Sequence, residues 1–497
     1  MKTIMLSLGF MLSVNVLFTQ HSFEKLILDP EDQIINHITE DDGGSIILVG
    51  RIHNIDTYYS GGYIIKIDSL GEIIQEKIIQ QTDTSSCMLF NIHYFNNYYY
   101  ILGSHSSINP DTVELWYLKL NSQLDIENEK FLHLPSERWF SFMKSIIDSD
   151  TNIVITGYTA HRDTTGPSPI PYNHNPFFYK LSLAGDSLTS KFMNLPFKLT
   201  HSTDIIEKKI TSGYFAYGND FADIPGSGQR FELSKDFDSL DVDSIPYRLS
   251  GFYYSSAWLN DTSIIICGQG GPETTPSYSL NVLSHTEENI PVDYNYFKMA
   301  GDIRDHPALY FGVSKNEENI YVGGNSNFDY ANPFWSGNDS WYHLIKINPD
   351  ITPIWEYWYG GDAYYFMYSI LATNDGGCVM VGNRYDDQTQ YMERDIYIAK
   401  VNSDGLIVWT QEIPTDSQIT LVYPNPGTSQ LNIKTKKKDQ LFELININGQ
   451  VVIKQFLYED RSTINTESLN PGMYFYRLID EKNKSVETGK WIKQESG

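Results

Sequence analysis

The chain has 497 residues, 41% of them hydrophobic and 14% aromatic, and its 36 lysines and arginines against 62 aspartates and glutamates give a formal charge of −26. That length exceeds a single compact core, so two or more domains or a repeat architecture are expected. The aromatic content excludes a disordered chain, and the negative field excludes a nucleic-acid partner.

Residues 1–20 read as a secretory signal: Lys2 supplies the positive start and residues 4–18 an uncharged apolar stretch. The stretch is short for a membrane span, no stop-transfer pattern follows, and no later run is apolar enough to cross a bilayer. The protein is therefore expected to be exported and not integral to a membrane. Cys87, Cys267 and Cys378 fit neither a disulfide framework nor a zinc site, and they suit small buried positions.

From residue 23 to residue 413 the sequence repeats itself. The clearest unit contains Asn374-Asp375-Gly376-Gly377, an apolar run ending at Gly382, a strand-like run ending at Lys400, and a turn closing at Gly405 before Trp409. The first unit matches it with Asp41-Asp42-Gly43-Gly44, Gly50, Lys66 and Gly71. The glycine that follows the second strand recurs as Gly103, Gly157, Gly218, Gly268 and Gly323, about every 50–60 residues. The lysine recurs as Lys119, Lys180 and Lys346, and Trp355 and Trp409 each lie nine residues beyond their lysine. Each unit holds four short β-type runs; in the first they are 34–39, 45–50, 63–68 and 72–79. Four antiparallel strands at this period predict the blade of a β-propeller, and seven units predict about seven blades over residues 21–413. Residues 23–28 look like a further fourth strand that could close the ring, although residues 406–409 already offer one to the last blade. In Asp375-Gly376-Gly377, Lys400, Gly405 and Trp409 the unit resembles the propeller-type repeats of secreted bacterial proteins, which implies a scaffold and no particular activity.

After Pro414 the pattern changes to short alternating strands between Asn-Gly and Pro-Gly turns, which predicts a small β-sandwich over 414–497. Its landmarks are Tyr423-Pro424-Asn425-Pro426, the turn at Gly449, the Leu469…Gly472…Tyr474-Phe475 run, and the terminal Lys490-Trp491-Ile492-Lys493. In this order the segment is similar to the type A C-terminal sorting domains of the type IX secretion system of Bacteroidota. The resemblance implies passage over the outer membrane by the type IX machinery, and release or attachment at the cell surface. Asn446 and Asn448 stand where that family often has an aspartate before the turn. Residues 416–497 carry 11 lysines and arginines against 10 acids, a net of +1, which leaves −27 for the part before them.

In a propeller the connections between second and third strands, and the links between blades, share one face, and here they are the long ones. Three of them mix aromatic and polar residues in the manner of sugar-stacking or protein-binding surfaces. They offer Tyr172 and His174 in the third unit, Phe328, Tyr330, Phe334 and Trp335 in the sixth, and Tyr385 and Tyr391 in the seventh. Asn325, Asn327 and Asp329 alternate like the oxygen ligands of a calcium loop but lack its downstream glutamate, and no other cofactor is indicated. Signatures of zinc proteases, serine hydrolases and nucleotide-binding loops are missing. The expectation is an all-β, exported scaffold that binds an extracellular glycan or protein without catalysis. The alternative is a glycan-active hydrolase or lyase on the same scaffold, with carboxylates scattered over the blades.

Overall fold

The computed structural model describes residues 21–54, 59–79, 85–107, 113–134, 139–162, 172–193, 200–220, 227–245, 255–270, 278–299, 304–388, 390, 393–407, 420–424, 427–435, 440–446, 450–459, 461–479 and 485–494. The expected signal, 1–20, lies outside them. The described residues form strands and turns without a helix, so no helix among them is long and apolar enough to cross a membrane. The chain divides into two compact units, 1–409 and 410–497.

In the first unit, antiparallel four-stranded sheets follow one another along the chain: I (32–79), II (85–133), III (139–192), IV (200–244), V (255–297) and VI (305–360). Sheets I and II touch through one parallel bridge, Ser60 to Ser86. Sheet VI breaks its first strand into Asp305–Pro307 and Val313–Lys315, both paired with Ile320–Ser326. Sheet VII takes three strands from 364–401, and its fourth is Phe23–Ile27, which runs antiparallel to Asp395–Val401. The segment ahead of the repeats therefore fills the outer position of the last sheet. Of the competing run 406–409, only Leu406 and Ile407 are described, and neither is in a strand.

Both faces of the sheets are buried, which explains apolar runs in place of clean alternation. Ile47 and Val49 pack on Leu89 and Trp116 of sheet II, while Leu48 and Ile65 pack on Val379 and Ile398 of sheet VII. Every consecutive pair of sheets shares such a cluster, and sheet VII shares one with sheet I.

The recurring glycines sit where the second strand passes a bulge in the first. A Cβ on Gly50, Gly103, Gly157, Gly218 or Gly382 would lie 1.7–2.4 Å from a carbonyl oxygen of the first strand. In sheet VI that position belongs to Gly324, 2.4 Å from the His306 oxygen, rather than to the expected Gly323. Gly324 lies three residues past Tyr321, which faces Lys346, as Gly50, Gly157 and Gly382 lie three past the residues that face Lys66, Lys180 and Lys400, so 324 is the equivalent position.

The recurring lysine has a structural partner as well. Lys66 reaches Asp41 (2.9 Å), Lys180 reaches Asp148 (3.5 Å) and Lys400 reaches Asp375 (2.7 Å). Each aspartate also accepts backbone N–H groups of its own first turn, as Asp41 does from Gly43 and Ser45. Sheet II has Asn96-Asn97 at that turn, and Lys119 turns to Glu127 instead. Lys346 and Trp355 both donate to the Ser403 carbonyl of the next sheet, each at 3.0 Å.

The second unit pairs a three-stranded sheet (420–423, 430–435, 461–465) with a four-stranded one (440–446, 451–457, 472–479, 485–493). Leu431, Ile433 and Ile464 of one share a core with Phe442, Leu444, Leu478 and Trp491 of the other. The sequence landmarks meet here. Trp491 Nε1 donates to the Pro424 carbonyl (2.8 Å), and Lys493 Nζ donates to the Thr428 carbonyl. Asn446 Oδ1 accepts the Gln450 N–H at 3.0 Å, the acceptor role an aspartate would fill. Gly472 opens its strand, while Asn425, Pro426 and Gly449 lie outside the described residues.

Candidate functional site

The loop 327–340 of sheet VI is built by its own polar groups. Asp329 Oδ1 accepts the N–H of Ala331 (2.8 Å) and of Asn332 (3.3 Å), and its Oδ2 accepts the buried Ser336 hydroxyl (2.8 Å). Against the upward push of its partial burial, these donors hold the Asp329 carboxyl below the usual range. Tyr364 donates to the Pro333 carbonyl and accepts the Asp329 N–H, both at 3.3 Å. Asn325 is buried, its Oδ1 taken by the Met367 N–H (2.6 Å), and Asn327 Nδ2 donates to the Asp339 carbonyl (2.7 Å). The oxygens of Asn325 and Asp329 thus serve the fold, and among the described residues no cluster of three or more His, Cys, Asp or Glu could hold a metal.

The loop's aromatics divide into packing and surface. Phe328 is buried, stacked on His306 (4.5 Å) and beside Phe366 (5.4 Å). Tyr330 packs on Tyr278 (4.8 Å) and Phe328 (4.7 Å). Phe334 meets Phe366 edge-on at 5.4 Å, and Tyr385 packs on the same cluster. Trp335 remains 37% exposed, with Phe334 on its edge and the Arg394 guanidinium 4.5 Å from its ring. Tyr391 lies outside the described residues.

Arg394 had no signal in the sequence, because its partner is Asp32 of sheet I. Arg394 Nε donates to Asp32 Oδ1 and Nη2 to Oδ2, both at 2.7 Å, with side chains only 3% exposed. Burial opposes the Arg394 charge, and Tyr368 and Asp32 more than restore it. Arg51 of sheet I lies 3.8 Å from the same Asp32.

His174 sits elsewhere, on sheet III. It stacks with Tyr158 (5.0 Å) and with His201 of sheet IV (4.7 Å), their ring nitrogens within hydrogen-bond reach. Tyr172 is in the same strand, paired with Arg162. The structure therefore gathers Phe328, Tyr330, Phe334, Trp335 and Tyr385 into one group and leaves His174 in another.

Two cavities accompany these groups. One, of about 290 Å³, is lined by Leu28, Asp29, Arg384, Gln390, Glu393 and Asp395. In it the Asp395 carboxyl is pushed up by burial, and it accepts from Gln390 Nε2 at 2.6 Å. The other, of about 540 Å³, is lined by residues of four successive sheets, among them Lys144 of III, Ile205 of IV, Ser256 and Trp258 of V, and Phe311 and Lys315 of VI.

Residues 421–494 match the family of secretion system C-terminal sorting domains. This tail marks the chain for type IX secretion, to the cell surface or the medium, and brings it into contact with that machinery. No curated protein matches the chain. Solved structures similar to it include a fungal alcohol oxidase of the AA5 family in complex with copper (9% identity, 95% of this chain and 99% of that one, TM-score 0.44). The endosialidase of phage phi92 aligns over 95% of this chain and 87% of its own (9% identity, TM-score 0.42). The β-propeller domain of the Trilobed protease from Pyrococcus furiosus aligns over 77% and 96% (9% identity, TM-score 0.43). Likenesses this remote carry no argument for this chain.

Proposed function

We propose that residues 21–413 form a seven-bladed β-propeller that a Bacteroidota cell exports through the type IX system, its tail a small β-sandwich, to bind a glycan without catalysis. Support for the ring comes from the seven sheets that pack in sequence, and from the apolar cluster joining the last to the first. Trp335 carries the binding reading. An exposed indole held over a buried guanidinium, in a loop fixed by Asp329, is a rigid apolar plate with little entropy to lose on stacking a sugar ring. Screening the full-length protein on a glycan array, then measuring affinity for the best ligand, tests this. Trp335→Ala is expected to cost about 2 kcal/mol, roughly 30-fold in Kd, with the melting temperature unchanged. Unaltered affinity would remove Trp335 from the site.

The second reading, a glycan hydrolase, is favoured by one observation. Asp395 has its carboxyl raised by burial in a cavity that also holds Asp29 and Glu393, as a general acid requires. Release of new reducing ends from a bound glycan, abolished by Asp395→Asn, would establish it.

A further inference from the structure

We infer that Arg51 is the docking group for an oxyanion carried by the ligand, so that the glycan is an acidic one, bearing uronate carboxylates or sulfate esters. The inference rests on the glycan-binding reading above and names its substrate class.

The argument begins with an imbalance. Two guanidiniums share one carboxylate. Arg394 occupies both oxygens of Asp32 at 2.7 Å, and its own backbone N–H adds a third bond to Oδ1 at 3.1 Å. Arg51 Nη2 is left at 3.8 Å from Oδ2, beyond hydrogen-bond length. The other groups acting most strongly on Arg51 are Arg394, Tyr368 and Tyr310, and none of them is a carboxylate. Its Nε is buried with no acceptor among the described residues. Yet the side chain keeps 25% exposure, against 3% for Asp32, so the residue that Asp32 leaves short of a partner is not wholly closed off from solvent.

A largely buried guanidinium without a full partner is costly, and an oxyanion that can present two oxygens to it, a carboxylate or a sulfate ester, is the group that matches its donors. The position suits the site. Asp32 links Arg51 to Arg394, and Arg394 backs the Trp335 ring at 4.5 Å. A sugar stacked on that ring would therefore lie on the same buried charge network as Arg51. The rest of the surface works the other way: the part before residue 416 carries −27, so polyanions are repelled wherever no fitted cation meets them. An acidic glycan would thus be held at one place and not smeared over the protein.

The test uses the full-length chain and three hexasaccharide probes: oligogalacturonate, a sulfated galactan and the unsubstituted galactan. The wild type is expected to bind at least one anionic probe at least tenfold more tightly than the neutral one; the carboxylate and sulfate arms show which oxyanion it takes. Arg51→Gln is expected to erase that advantage. Arg51→Lys keeps the charge without the fork and is expected to lose at least threefold, which decides the matter if Arg51→Gln melts early. Equal affinity for neutral and anionic probes, or a folded Arg51→Gln or Arg51→Lys that keeps the full advantage, would overturn the inference and leave the binding reading standing. Failure of all three probes while the array yields a neutral ligand would overturn the inference and leave the binding reading standing; failure of the array as well would end both.

Discussion

Several histidines of the first unit are held neutral by burial. It lowers His93, His285 and His306 to about 4 and His201 to about 3. Lys144 deepens the effect at His93, and the Thr286 carbonyl offsets part of it at His285. In the unfolded chain each returns to about 6.5. Between pH 6.5 and 4 the unfolded state thus binds protons that the folded state refuses, and stability falls as pH drops through that window, by up to about 1.4 kcal/mol per pH unit for each histidine. The turn aspartates act lower. Asp41, Asp148 and Asp375 stay below their usual range despite burial, so their contribution is present above about 3.8 and is lost only beneath it. Urea midpoints measured from pH 7 to pH 4 are expected to fall steadily; a flat profile would contradict neutral buried histidines. At this scale the sequence was partly readable. Trp335 stood out as an aromatic amid turn residues. The Asp32–Arg394 pair did not, because 362 residues separate its members and only the meeting of sheets VII and I joins them.

The four-strand unit was legible because its signals are local: Asp-Gly-Gly turns, β-branched runs, a glycine and a lysine at fixed offsets. The structure supplies the reason for each offset. At Gly382 an added Cβ would lie 2.0 Å from the Phe366 oxygen and 2.5 Å from the Tyr342 hydroxyl. Neither can retreat, since Phe366 is in the first strand of sheet VII and Tyr342 is buried in the core shared with sheet VI. Gly382→Ala is expected to destabilise the first unit by about 3 kcal/mol, read from urea denaturation, while a change under about 1 kcal/mol would mean that the bulge yields. Two features of the elements were hidden. In sheet VI two glycines stand side by side, and only the strand register shows that 324, not 323, is the equivalent one. The strand 23–27 and its possible place in the last blade could be read, but the choice between it and the run 406–409 could not, because strand pairing depends on a partner almost the whole unit away.

At the scale of the molecule, charge and export separate by unit. The acidity belongs to the part before residue 416, while the tail is near neutral. Its landmarks, distant in sequence, come together as Trp491 and Lys493 fasten the loop after Tyr423. Deleting residues 416–497 is expected to leave the protein in the periplasm, detected by fractionation and immunoblot; delivery to the surface or medium without the tail would refute its sorting role. This part of the reading was legible because a sorting domain is recognised by its own short motifs. The ligand was not, because binding surfaces form from side chains that different sheets contribute.

The outer strand of sheet VII has a consequence for how the protein matures. Glu24 accepts the Tyr397 hydroxyl across 373 residues, and Lys25 meets Glu72 of sheet I at 3.3 Å. The leading stretch of the chain has no place to rest until nearly four hundred residues have followed it, and bringing ends so far apart together carries an entropy cost that grows with the logarithm of the gap. The clasp therefore ties the beginning of the unit to its end, and sheet VII is complete only when both are in place. Once shut, it holds residues 23–27 in a ladder with Asp395–Val401, and a chain trimmed past Ile27 would leave sheet VII without its outer strand.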